Sequence, residues 1–255
     1  MLPPPLARPS LADFRDFIRD IAPAHTGRRV AVPLVVTLLE DQLTPVLAYR
    51  RLVAPDARPA PSFLFESVEG GERQGRHSML GAQPVLHVIP RQDRVRVTDL
   101  RDPDHPLAAE HVGDPLAIVR QLSARTFLAA PPNAKLPACF LGGWVGFAAY
   151  DSVRYVEPGK LPFSSAPRDD RNLPDLHFAY YDGIVAFDHV GKVVHVIKLA
   201  EVDIAADGQV TDAAIDAAYT RASARLATRL NELQTHARPL PSGTITDLGA
   251  SPAPL

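Results

Sequence analysis

An α+β fold built mostly of antiparallel strands is predicted by three features of this 255-residue sequence. Strand-like runs dominate from Arg28 to Ala200. The loops between neighbouring runs are too short for the helical crossovers that parallel strands require. Helical periodicity is confined to three places, near the start, in the middle and near the end, and strands interrupted by a few helices are the pattern of α+β architecture.

In chain order, Ser10 and Asp13 form a capping motif ahead of Leu11, Phe14, Phe17, Ile18 and Ile21, whose spacing predicts a helix that ends before Pro23. Arg28–Val36 is rich in β-branched residues and leads into a strand. Pro33 has no amide to donate, which places it at an edge or at a strand start. Glu40-Asp41-Gln42 makes a break, and Thr44–Leu52 reads as a strand from its Val, Leu and Tyr content. Pro55–Pro61 is a loop. Ser62–Ser67 and Arg76–Gly81 read as a strand and its return, followed by strands at Val85–Pro90 and Arg94–Asp99. In the last of these, Val95 and Val97 alternate with polar residues, so one face is buried and one is wet.

Asp114-Pro115 opens the second helix, with proline at its first position. Cys139-Phe140-Leu141 reads as a strand entering the glycine-rich segment Gly142–Arg154. Asp175–Asp182 and Gly183–Asp188 read as two strands around a tight turn. His189–Lys192 is a hairpin turn with Val193–Ala200 as the returning strand. Thr211-Asp212 opens the last helix, and Ile215, Tyr219, Ala222, Leu226, Leu230 and Leu233 form one apolar stripe. Residues 1–9 are read as a disordered N-terminus, 10–236 as one domain, and 237–255, rich in Pro, Ser, Gly and Thr, as a flexible tail.

Composition excludes several functions. An apolar fraction of 46% is ordinary for a globular chain, and a formal charge of −2 gives no electrostatic case for nucleic acid or an anionic membrane. No apolar run is long enough to span a bilayer, and Met1–Pro5 shows no basic segment followed by an apolar core, so a cytoplasmic protein without a signal peptide is expected. Cys139 stands alone, which rules out an internal disulfide; set in an apolar run, it reads as a core thiol. The nine histidines show no metal-ligand spacing, so no metal is predicted on this chain. Gly142–Gly146 lacks the order of a dinucleotide fingerprint and reads as close backbone packing. No phosphate-binding Gly-Lys-Ser/Thr ending and no Gly-x-Ser-x-Gly is present.

The stretch with chemical content is Phe63–Gly81. An apolar strand ends in Glu66 and Ser67, passes Gly70, Gly71 and Gly75, and returns as Arg76-His77-Ser78. Glycines let the backbone approach a ligand closely, and acid, hydroxyl and arginine groups gather beside it. On composition alone Glu66 and Ser67 read first as a polar strand end facing water, and as a ligand site only second.

The run Glu66-Ser67-Val68-Glu69-Gly70-Gly71-Glu72-Arg73-x-Gly75-Arg76-x-Ser78 resembles the signature in the N-terminal half of component I of anthranilate synthase. Leu43-Thr44-Pro45-Val46-Leu47-Ala48-Tyr49 and Gly142-Gly143-Trp144-Val145-Gly146-Phe147-Ala148-Ala149-Tyr150-Asp151-Ser152-Val153-Arg154 resemble two further segments of that family, in the same order and spacing. Together the likeness covers roughly residues 10–235. It implies two packed, mostly antiparallel sheets with flanking helices. It implies a feedback site for L-tryptophan at Glu66, Ser67, His77 and Ser78, with Ser67 against the amino-acid head group; His77 stands where the family usually has Tyr. Tyr150, Asp151 and Arg154 are expected to bond internally or to face the other half of the protein. Chorismate chemistry and Mg2+ belong to a chorismate-binding half that has no counterpart here, so the chain alone is expected to be inactive. A glutamine amidotransferase subunit (component II) is the further partner implied. The alternatives are a split-subunit module that docks on a separate catalytic chain, or the corresponding part of aminodeoxychorismate synthase component I.

Overall fold

Ser10 Oγ accepts from the Asp13 amide at 3.3 Å and donates to the Asp13 carboxylate at 2.6 Å, which starts α1 (Leu11–Ile21) at the predicted place. Pro23 turns its end into a 3-10 turn, Ala22–Ala24. The structure, a computed structural model, describes residues 7–39, 42–53, 61–68, 74–101, 107–169 and 173–234, and of Ser67, Val68 and Gln74 only the backbone. The predicted loop at 55–61, the turn Glu69–Arg73 and the tail after Gln234 fall wholly or mostly outside these residues.

After β1 (Arg29–Leu39) comes the first departure from expectation. Thr44–Leu52 is not a strand but α2 (Pro45–Val53). Thr44 Oγ1 accepts from the Leu47 amide at 3.2 Å, Pro45 takes the first helical position, and Ala48 and Leu52 bury one face at four-residue spacing. Strand propensity lost here to a cap and a stripe.

The strands that follow are β2 (Phe63–Val68), β3 (Gln74–Gly81), β4 (Leu86–Arg91), β5 (Arg94–Asp99) and β6 (Leu107–Val112), and then α3 (Pro115–Ala124), capped by Asp114. Next come β7 (Thr126–Leu128), β8 (Gly143–Ala148), α4 (Val153–Val156), β9 (Leu176–Tyr181), β10 (Gly183–Asp188), β11 (Val193–Asp203) and α5 (Asp212–Gln234). Cys139–Leu141 are irregular rather than extended; the strand lies inside the glycine-rich segment, at β8.

The strands form two sheets. The larger runs β2-β3-β10-β11-β1-β7 and the smaller β6-β5-β4-β9-β8. All pairings are antiparallel except β1 with β7. The expected hairpin of 175–182 with 183–188 does not form. β9 belongs to the smaller sheet and β10 to the larger, and the chain passes between them at Asp182. A Cβ on Gly183 would stand 2.7 Å from the Ile197 carbonyl oxygen, so only glycine fits this crossing.

Even-numbered residues of β1 (Val30, Val32, Leu34, Val36) pack with Phe14, Ile18, Leu52, Ile215 and Leu226 beneath the helices. Val35, with Ile184, Ala186 and Ile197, faces Ala179 and Tyr181 of the smaller sheet. The larger sheet is thus buried on both faces, and each large side chain so covered contributes about 1.5–3 kcal/mol.

Pro33 sits in mid-strand at a local edge. Odd-numbered residues of β1 turn their polar groups away from β11: Arg29 N–H meets the Arg125 carbonyl at 2.8 Å, and the Ala31 carbonyl accepts from Ala129 at 3.0 Å. The nitrogen of Pro33 falls beyond the three-residue β7, so no ladder bond is lost. Two residues on, Val35 exchanges both backbone bonds with Arg8, at 2.9 and 3.0 Å, so the segment read as terminal tail contributes Arg8 as a bridge to the sheet.

Candidate functional site

The four residues singled out in the sequence lie at the far end of the β2–β3 hairpin, and the pleat divides them. Glu66 pairs directly with Ser78, two residues from Leu64 opposite Leu80 on the helix-packed face. His77 alternates with Ser78 and shares the opposite face with Met79, which packs in the core between the sheets. Glu66 is exposed and His77 half-buried, whereas Ser78 is only 3% exposed. The Ser78 hydroxyl bonds Nε2 of His189 at 2.8 Å, so its polar atom is engaged within the chain. His189, in the β10–β11 turn, stacks on Phe187; its role at Ser78 had no signal in the sequence beyond its place in the turn.

At Ser67 the ladder breaks. Glu66 pairs with Ser78 and Val68 with Gln74, so Ser67 alone stands opposite three residues, Gly75, Arg76 and His77. Such a bulge leaves ladder groups unpaired and bends the strand, and bulges of this kind gather next to binding sites. Arg76 crosses to β10, where its guanidinium donates to both carboxylate oxygens of Asp188 at 3.2 and 2.9 Å. Asp188 also accepts from the Val190 and Gly191 amides at 3.1 and 3.0 Å. The Arg76 guanidinium and these amides hold its carboxyl far below the usual carboxylate range.

An apolar wall adjoins the bulge. Phe65 lies opposite Met79, is 51% exposed and contacts Phe63 with ring centroids 4.8 Å apart. Phe63 meets Tyr181 edge-on at 4.9 Å. The Phe63 ring lies over Gly81, where a Cβ would approach it to 2.3 Å. Cys139 packs against the same cluster, and burial pushes its thiol up to about 11, which suits a core residue and not a nucleophile.

No protein-family model matches the chain. It is 49% identical over 175 residues to the chloroplastic alpha subunit 1 of anthranilate synthase from Arabidopsis thaliana, covering 68% of this chain and 29% of that protein. It is 35% identical over 206 residues to anthranilate synthase component 1 of Pseudomonas aeruginosa, covering 80% of this chain and 37% of that protein. The chain is homologous to the anthranilate synthase component I family. It spans about a third of the length of these relatives. A solved anthranilate synthase component I from Streptococcus pneumoniae matches 78% of this chain and 38% of its own at 22% identity, with a TM-score of 0.37.

The glycine-rich segment carrying part of the family likeness is structural along β8. A Cβ on Gly146 would lie 1.9 Å from the His177 carbonyl oxygen of β9. Arg154 is buried and donates to Asp151 at 2.7 Å and to the Pro162 carbonyl at 3.2 Å, so this pair bonds internally as expected. Tyr150 instead points outward, 91% exposed. Among the described residues no group of three or more His, Cys, Asp or Glu side chains converges as a metal site needs. Among the same residues no helix is long and apolar enough to cross a membrane.

Proposed function

We propose that this chain is the N-terminal, tryptophan-sensing part of an anthranilate synthase component I. The observation that carries the reading is the bulge at Ser67 beside the half-exposed Phe65. A free amino acid needs a carboxylate or carbonyl for its ammonium, hydroxyl or amide groups for its carboxylate, and an apolar wall for its side chain. Around the bulge, Glu66 on one face of the hairpin, the backbone at Ser67, and Phe65 with Met79 on the other face supply those three. His77 adjoins them. The Ser78 hydroxyl is engaged by His189, so in this reading Ser78 supports the strand beneath the site.

The whole enzyme converts chorismate and glutamine to anthranilate, pyruvate and glutamate, with a glutamine amidotransferase subunit supplying the nitrogen. Those steps belong to the chorismate-binding half and to that subunit. This chain contributes the sensor and part of the scaffold. Inhibition is then a coupling in which tryptophan prefers the inactive arrangement of the two halves and shifts the population toward it.

Burying an indole of roughly 150–250 Å2 is worth about 4–6 kcal/mol. If the other half lines part of the pocket, losing half of that burial weakens binding by roughly 30- to 150-fold. The test is calorimetric titration of tryptophan into this chain, alone and with a chorismate-binding half added. Ser67→Phe, which fills the head-group space, is expected to abolish binding; an unchanged dissociation constant in that variant would sink the assignment.

A second reading, a structural module that docks on a separate catalytic chain, is favoured by the exposure of Phe147 and Tyr150 next to the unpaired edge of β8. Gel filtration with and without the catalytic half separates the two. A cooperative, monodisperse monomer that ignores the other half argues against the module.

A further inference from the structure

β11 has an open edge at its C-terminal end. Its odd-numbered residues direct their backbone groups toward β10, as the bond from the Leu199 amide to the Asp182 carbonyl at 2.6 Å establishes. Its even-numbered residues bond β1, and Ile204 continues that series with the Arg28 carbonyl at 2.9 Å. β10 covers β11 only up to Lys198, opposite Gly183; beyond Asp182 the chain has left for the smaller sheet. The amides of Glu201 and Asp203 therefore point into the space β10 does not fill, and no described residue takes them.

That space is a cavity of about 670 Å3 between the open edge, α5 and the crossing segment Gln83–Val85. Most of its charges are neutralised from within. Lys198 is ion-paired with Asp182. Glu201 accepts from the Tyr180 hydroxyl at 3.0 Å and lies 3.5 Å from the guanidiniums of both Arg29 and Arg101. Asp203 is held by Arg29 at 2.7 and 3.0 Å. Arg229 is spent on two backbone carbonyls. On the α5 wall, Glu232 acts on the buried Arg229, while Arg221 and Arg225 are exposed toward the cavity. Arg221 stands near enough to Asp203, and Arg225 to Lys198, to act on them electrostatically.

We propose that this cavity is a binding site for a small dicarboxylate, distinct from the tryptophan site at Ser67. The two open amides are alternate residues of one strand, about 6.8 Å apart. Arg221 and Arg225 are one helical turn apart, about 5–6 Å between their Cβ atoms. The amide pair and the cation pair thus repeat at comparable spacings along two walls of the cavity, and the long, exposed guanidiniums can share a carboxylate with each amide. The open edge, with two amides before the strand ends, is too short to register an added strand, since strands usually run to five or six residues.

The test is calorimetric titration of the 255-residue chain at low ionic strength with succinate as the probe and acetate as the single-charge comparator. Succinate is expected to bind saturably and at least about tenfold more tightly than acetate. Arg221→Glu and Arg225→Glu, both at exposed helix positions, are each expected to weaken succinate by about tenfold or more while leaving the thermal transition in place. Arg94→Glu, exposed on β5 away from the cavity, is expected to change nothing. Absence of saturable binding, acetate matching succinate, or Arg94→Glu weakening succinate as much as the α5 variants would overturn the proposal. None of these outcomes bears on tryptophan, which binds at the other end of β3.

Discussion

Arg229 donates to the carbonyl of Gly183 at 2.9 Å, and its second terminal nitrogen reaches the carbonyl of Ala82 at 3.0 Å. Gly183 and Ala82 stand at two of the places where the chain passes between the sheets, β9 to β10 and β3 to β4. One buried guanidinium from α5 therefore holds both crossings. Burial lowers its pKa, and the nearby Asp182 works against that shift. Replacing Arg229 with Met keeps the length of the side chain and leaves two buried carbonyls without a donor. A loss of about 2–4 kcal/mol is expected in urea unfolding. A loss under about 1 kcal/mol would mean that the crossings hold without it.

Gly146→Ala is expected to be the most damaging alanine substitution in the glycine-rich segment. Its Cβ would meet backbone of β9 at 1.9 Å, and a ladder partner cannot step aside as a side chain can. Gly159→Ala, with nothing within 4 Å, serves as the control. Thermal melts should show Gly146→Ala losing more than about 2 kcal/mol and Gly159→Ala within about 0.5 kcal/mol of the parent.

Asp188 makes stability depend on pH at the acid end. Its folded pKa lies below its unfolded one, so the ionised carboxylate stabilises the fold above about pH 4, and that contribution is lost as pH falls through the folded value. Urea unfolding between about pH 5 and pH 2 should show a shallower acid decline in Asp188→Asn than in the parent. Parallel declines would show that the Arg76–Asp188 pair does not carry this dependence.

Phe65 separates ligand binding from stability. It is 51% exposed, so Phe65→Ala should cost little in thermal stability. As part of the proposed indole wall it should weaken tryptophan by about tenfold or more once the other half completes the site. Equal affinity in the variant and the parent would remove Phe65 from the site.

Much of the fold was legible because its signals were local. Ser10 with Asp13, and Asp114 with Pro115, mark their helices within four residues, and the α5 stripe from Ile215 to Leu233 repeats often enough to be unambiguous. The β10–β11 hairpin was readable from its turn. α2 was misread because Val, Leu and Tyr content outweighed the Thr44 cap, although Pro45 and the Ala48–Leu52 spacing already pointed to a helix. β6 escaped because all six of its residues are exposed and no alternation marks it, and β7 because three residues are too few to show a period.

By itself, then, the sequence determined the α+β class, the positions of three helices, the family likeness and the hairpin that carries Glu66 and Ser67. These depend on neighbours within a few residues or on motifs in fixed order. Only the tertiary structure decided that β9 and β10 belong to different sheets, that Glu66 and His77 lie on opposite faces, and that Ser67 stands at a bulge. It also decided where Arg229 and the open edge of β11 lie. Pairing between strands far apart in the chain sets all of these, and a strand's own residues read the same whichever partner lies beside them.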